Sequence, residues 1–141
     1  MLERLLDPLV SAQLLTAILL AILFLQSGLD KVFDFKGNLG WLTGHFGKSP
    51  LKGQVLPMLV VVTITECAAG ALAAAGAVQI AFADSTSLAL WSGQLSALNL
   101  VMLFFGQRIA KDYAGAAALV PYFILSVGAI LLFNVAGTSP A

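Results

Sequence analysis

Few residues in this sequence could do chemistry, and one of them lies where hydrocarbon is expected. In VVTITECAAG, residues 61–70, Glu66 is set among valine, threonine, isoleucine and alanine. A carboxyl near mid-bilayer can exchange a proton, balance a cation or hold a subunit contact, and by default marks a functional site. Cys67 beside it is the single cysteine of the chain, so no thiol pair exists for redox exchange. His45 is the single histidine, too few for a zinc or doubly His-ligated haem site built by this chain alone. The residues therefore point to no catalytic group, no metal and no cofactor bound by this chain alone, although a lipid or quinone is compatible with them.

Glu66 must be sheltered to persist there. An ionised side chain at the bilayer centre costs roughly 3 kcal/mol, and each Leu, Ile or Val returns about 0.3–0.6 kcal/mol. Leu59, Val60, Val61, Val62, Ile64 and Leu72 can offset that cost. Holding a glutamate protonated at neutral pH costs about 3.7 kcal/mol, a comparable figure, so a partner group decides its charge. On a helix, Glu66 shares its face with Thr63, Gly70, Ala73 and Ala77. Small residues let a neighbouring helix approach, so this face is expected to point into a bundle, and Ala74, Ala75 and Gly76 extend the close packing to a second side.

Other polar groups can meet it. Gln26, Ser27, Asp30 and Lys31 close the first hydrophobic run, Gln94, Ser96 and Asn99 lie in the third, and Tyr122 and Ser126 lie in the fourth. The expected partner of Glu66 is Gln94 or Asn99. Lys31 qualifies only if its stem turns inward, against the usual outward reach of lysine. The plainer role for Gln26, Gln94 and Asn99 is interhelical glue, about 0.6 kcal/mol each on average.

The elements that must position these groups are four hydrophobic runs near residues 9–29, 56–81, 87–106 and 116–136. Each approaches the roughly 20 residues needed to span a bilayer. With 60% hydrophobic and 10% charged residues over 141 positions, an ordinary soluble domain is excluded, since those carry roughly a quarter charged residues. The expected fold is an all-α integral membrane four-helix bundle in a single transmembrane domain. Seven basic residues balance seven acidic ones, leaving no electrostatic footprint for nucleic acid. The first run is expected to be a retained helix, because its leader MLERLLDP is acidic and no A-x-A-like cleavage site follows. Asp7 is its expected N-cap and Pro8 opens its first turn. The patch from Ala83 to Ser87 reads as a tight turn.

Lys31, Lys36, Lys48 and Lys52 lie between runs one and two, Arg108 and Lys111 between runs three and four, and only Arg4 lies on the opposite side. The positive-inside rule therefore places both loops in the cytoplasm and both termini outside it. Segment 30–55 is expected to be partly interfacial. Phe35, Leu39, Leu42 and Phe46 fall on one helical face, and Trp41 suits headgroup depth. The alternative is an irregular glycine-rich loop, since each of Gly37, Gly40, Gly44 and Gly47 disfavours a helix by about 1 kcal/mol relative to Ala. Lys36, Lys48 and Lys52 suit anionic lipid, Arg108 and Asp112 read as a solvated i, i+4 pair, and His45 reads as exposed or interfacial.

The segments QSGLDKVF and TECAAGALAAAGAV resemble the DoxX family of small bacterial membrane proteins. The likeness spans most of the chain, with S-G-x-x-K at Ser27, Gly28 and Lys31, and E-x-x-x-G at Glu66 and Gly70. The resemblance implies residence in the bacterial inner membrane and redox company. It singles out Gly28, Lys31, Glu66 and Gly70 without giving any of them a catalytic role. The long segment GNLGWLTGHFGKSPLKG departs from the family pattern and reads as a docking surface. The expected function is a non-catalytic accessory subunit of a larger membrane redox or respiratory complex, with other membrane subunits and lipid as partners. The alternatives are a quinol-binding oxidoreductase subunit that uses Glu66, and a small proton-coupled carrier.

Overall fold

The computed structural model describes residues 2–135. A single turn, α1 (Leu2–Leu5), precedes α2 (Pro8–Phe33), α3 (Phe35–His45), α4 (Val55–Ala83), α5 (Ser87–Ile109) and α6 (Tyr113–Asn134), with no strand among the described residues. α2, α4, α5 and α6 are long and apolar enough to cross a membrane. They coincide with the four expected runs, and position 136 of the last lies outside the described residues.

Caps, more than hydropathy, set where the helices start and stop. Asp7 Oδ2 accepts from the amides of Leu9 and Val10 at 3.1 and 3.2 Å, and Pro8 has no amide to satisfy, so α2 begins there. Asp112 accepts from the Gly115 amide at 2.9 Å and starts α6 ahead of its apolar run. α4 ends at Asp84, whose left-handed backbone (φ 50°, ψ 44°) breaks the helix at a residue type that tolerates that region. Segment 30–55 is more ordered than a glycine-rich loop: α2 continues through Lys31 to Phe33, and α3 follows at once.

α4 is held between α2 and α5 by contacts that leave no room for a Cβ. A methyl group on Gly70 would stand 2.6 Å from the Leu25 amide nitrogen, one on Gly28 2.7 Å from Cys67 Sγ, and one on Gly76 2.6 Å from the Ala89 nitrogen. α6 packs on α5, where Gly93 admits Ile130, and touches α2 only lightly. The end of the bundle away from α3 is tied by polar contacts. Gln13 Nε2 donates to the Leu132 carbonyl at 2.9 Å, Thr86 Oγ1 donates to the Phe133 carbonyl at 2.7 Å, and Arg4 reaches Asp84 and the Ala81 carbonyl.

The outer surface is apolar. Leu15, Ile22, Ile64, Ile124 and Leu131 are each more than 60% exposed, an arrangement water would penalise and lipid tolerates. The whole is compatible with a multi-pass membrane bundle.

α3 crosses one end of the bundle. Phe35, Leu39 and Leu42 are half-buried, Phe46 just beyond the helix is buried, and Trp41 is exposed.

Candidate functional site

Glu66 lies eleven residues into α4 on its inner face and is 1% exposed, flanked by the buried Thr63, Gly70 and Ala73. Its shelter is the one expected from the small residues around it. Its partner is not. Lys31 Nζ donates to Glu66 Oε2 at 3.1 Å and to Ser27 Oγ at 3.0 Å, so the expected contact with Gln94 or Asn99 gives way to an intrachain ion pair between α2 and α4.

The physical reason lies in helix direction. Every Cα–Cβ bond of a helix tilts toward its N-terminus, and the N-terminus of α2 is at the far end of the bundle. Lys31 therefore starts out leaning over Ser27, one turn back, into the bundle. The antiparallel register that sets Gly28 against Cys67 and Leu25 against Gly70 puts Lys31 opposite Ile64. Its ammonium need lean only about 3 Å further along the axis to draw level with Glu66. Snorkelling outward would have left the carboxylate unpaired in a dry interior, a larger loss than the lysine gains from water.

Asn99, fully buried on α5, meets the same helix on another side. Its Nδ2 donates to Thr65 Oγ1 at 2.7 Å and, more weakly, to the Val62 carbonyl at 3.4 Å. Two buried acceptor atoms, Glu66 Oε1 and Asn99 Oδ1, have no hydrogen-bond partner among the described residues. Each has capacity to accept a hydrogen bond from a water or a ligand. The hydroxyls of Thr63, Ser92, Ser96 and Ser126 donate to carbonyls three or four residues back on their own helices, and their protons are thereby spent locally.

Of the sequence candidates, Lys31, Glu66 and Asn99 lie inside the bundle, while Gln26 and Gln94 are exposed on its outer surface. Gly28, Gly70 and Gly76 are close-approach points.

Beside the ion pair is a groove of about 800 Å³, within the range of small-molecule sites. The beginning of α4 and the end of α5 wall it with residues such as Met58, Val62, Val101 and Phe105, and Lys31, Asn38, Gln54 and Gln107 are its polar groups. Trp41, Leu42 and Phe46 close it on the α3 side.

α3 is pinned there by contacts that adjacent sequence does not announce. His45 Nε2 lies 2.8 Å from Gln107 Oε1 and 3.6 Å from Asp112 Oδ2, and its ring stacks on Trp41 with centroids 4.7 Å apart. His45 is thus an anchor and not a free surface group. The expected Arg108–Asp112 pair is likewise replaced. The Arg108 guanidinium lies over the Tyr113 ring at 4.5 Å, and Asp112 is engaged by the Gly115 amide and His45.

No three or more His, Cys, Asp or Glu side chains converge as a possible metal site among the described residues. Compared with protein-family models, with curated proteins and with solved structures, the chain matches none.

Proposed function

We propose that this chain is a DoxX-like, non-catalytic subunit of a larger redox assembly in the bacterial inner membrane. The observation that carries the reading is the outward placement of Gln26 and Gln94 on α2 and α5. An amide facing acyl chains has no partner there, whereas a neighbouring protein supplies one. The ion pair supports the same reading. Lys31 and Glu66 neutralise each other within the chain and tie α2 to α4, a structural use of both charges.

In this reading both interhelical loops are cytoplasmic, because Lys31, Lys36, Lys48, Lys52, Arg108 and Lys111 gather at the α3 end against Arg4 at the other. α3 lies along the membrane surface, with Trp41 at headgroup depth and its apolar side on the bundle. The test is extraction of native membranes in mild detergent followed by native electrophoresis. The chain is expected to co-migrate with other membrane subunits, and a chain that always runs as a lone small species would end the reading.

A second reading has one observation in its favour. The groove beside Lys31, with polar groups among apolar walls, has the size and character to take an amphiphile such as a quinone, consistent with a quinol-binding subunit. Lys31 lines the groove, and Glu66, paired behind it and 1% exposed, is the proton acceptor this reading calls on.

A further inference from the structure

Independently of any partner subunit, we infer that the centre of the bundle is a water site, in which bound water donates to Glu66 Oε1 and to Asn99 Oδ1. Both side chains are buried, at 1% and 0% exposure, and both atoms are acceptors that no described residue serves. The helix register brings them to one depth. Gly76 of α4 meets Ala89 of α5; ten residues back from Gly76 is Glu66, and ten on from Ala89 is Asn99. The Asn99 bonds to Thr65 Oγ1 and to the Val62 carbonyl agree with that level to within a turn.

The two side chains also face one space. Around α4, Cys67 and Gly70 lie about 100° and 40° to one side of Glu66, where α2 packs. Val62 and Thr65 lie about 40° and 100° to the other side, where Asn99 docks. Glu66 therefore points between α2 and α5. Lys31 holds Oε2 on the α2 flank, which leaves Oε1 to the space that Asn99 borders. Side chains at this depth are small, with Ser27 and Gly28 on α2, Ala69 and Gly70 on α4 and Ser96 on α5. They make room for water, whereas toward the end away from α3 the interior is filled by Leu20, Phe24 and Phe133.

The chemistry of the site selects its ligand. The ligand must donate hydrogen bonds, because a carboxylate oxygen and an amide oxygen only accept. The protein's own donors nearby are spent. The Asn99 NH2 goes to Thr65 and Val62, and the hydroxyls of Thr63, Ser96 and Ser126 go to carbonyls of their own helices. The ligand must be neutral, because Lys31 already balances the carboxylate and a second cation would leave net charge in a low-dielectric interior. It must also be small. Water meets all three conditions, and buried water at otherwise unserved polar groups is a regular part of folded proteins. Neither Glu66 nor Asn99 lines the groove, so this water is held apart from whatever the groove binds.

The test is a crystal structure of the full chain, grown from a lipid mesophase, at a resolution that shows ordered water. Density for water is expected within about 2.5–3.0 Å of Glu66 Oε1 and of Asn99 Oδ1. Either atom without a water, the two oxygens in direct contact through a shared proton, or a metal ion at the position overturns the inference. Oxygen-17 magnetic relaxation dispersion in detergent micelles counts long-lived internal waters without a lattice. Lys31→Met combined with Glu66→Met, which replaces the ion pair by apolar side chains of similar length, is expected to remove at least one such water. Asn99→Leu is expected to do the same, and Gln26→Leu on the outer surface to remove none. Wild-type amplitude in both inner variants also overturns the inference. Should a variant fail to fold, the wild-type crystal structure decides alone.

Discussion

Lys31 Nζ and Glu66 Oε2 lie 3.1 Å apart across the α2–α4 interface, and Ser27 Oγ is a second acceptor for the same ammonium. The pair is electrically neutral as a unit, which lets two ionisable groups share a largely dry interior. Because Lys31 is the only partner of the carboxylate among the described residues, the two charges stand or fall together.

Removing one charge should therefore be worse than removing both. Lys31→Met or Glu66→Gln alone is expected to destabilise by about 3–5 kcal/mol, with Lys31→Met toward the lower end because that side chain is partly exposed. The double variant Lys31→Met/Glu66→Gln should recover most of the loss. Denaturant unfolding in detergent, arranged as a double-mutant cycle, measures this, and additive losses would show that the two groups do not interact.

Glycines at close approaches and glycines in open space should respond with opposite sign. Gly70→Ala puts a methyl against the Leu25 backbone and is expected to cost about 1–3 kcal/mol by forcing α2 from α4. Gly40 in α3 has nothing within 4 Å of its would-be Cβ, so Gly40→Ala is expected to stabilise the helix by about 1 kcal/mol. Thermal unfolding of the two variants, read against wild type, checks the sign of each.

The His45 contacts should hold α3 against the end of the bundle. His45→Ala breaks the hydrogen bond to Gln107 and the approach to Asp112, at a cost of about 1 kcal/mol. Hydrogen exchange is expected to speed up across 35–45 while α4 and α5 keep their protection. Unchanged exchange in α3 would mean that Phe46, seated beside Gly106, is sufficient by itself.

The groove can be filled from α4. Met58→Trp adds bulk to its wall and is expected to reduce labelling by a photoreactive quinone analogue about tenfold, the effect of 1.4 kcal/mol in binding. Equal labelling of wild type and variant would locate any quinone elsewhere and remove support for the quinol-binding reading.

Much of the architecture was legible in the linear chain. Four apolar runs, the break at Asp84, the Asp7 cap and the inward face of Glu66 all depend on local periodicity and capping, which act within a turn or two of each residue. α3 was less legible, because its glycines argued against a helix.

What the sequence by itself determined is that one carboxyl would lie inside a bundle of membrane-length helices, because small residues recur along its face at helical spacing. What only the tertiary structure decided is its partner. That choice depends on the register of α2 against α4 and on the tilt of the Lys31 side chain toward the N-terminus of its helix, neither of which is a property of neighbouring residues. The same holds for His45, whose partners Gln107 and Asp112 lie more than sixty residues away, and for Gln26 and Gln94. Hydropathy marks those two amides as intramembrane, but only the packing of whole helices turns them outward.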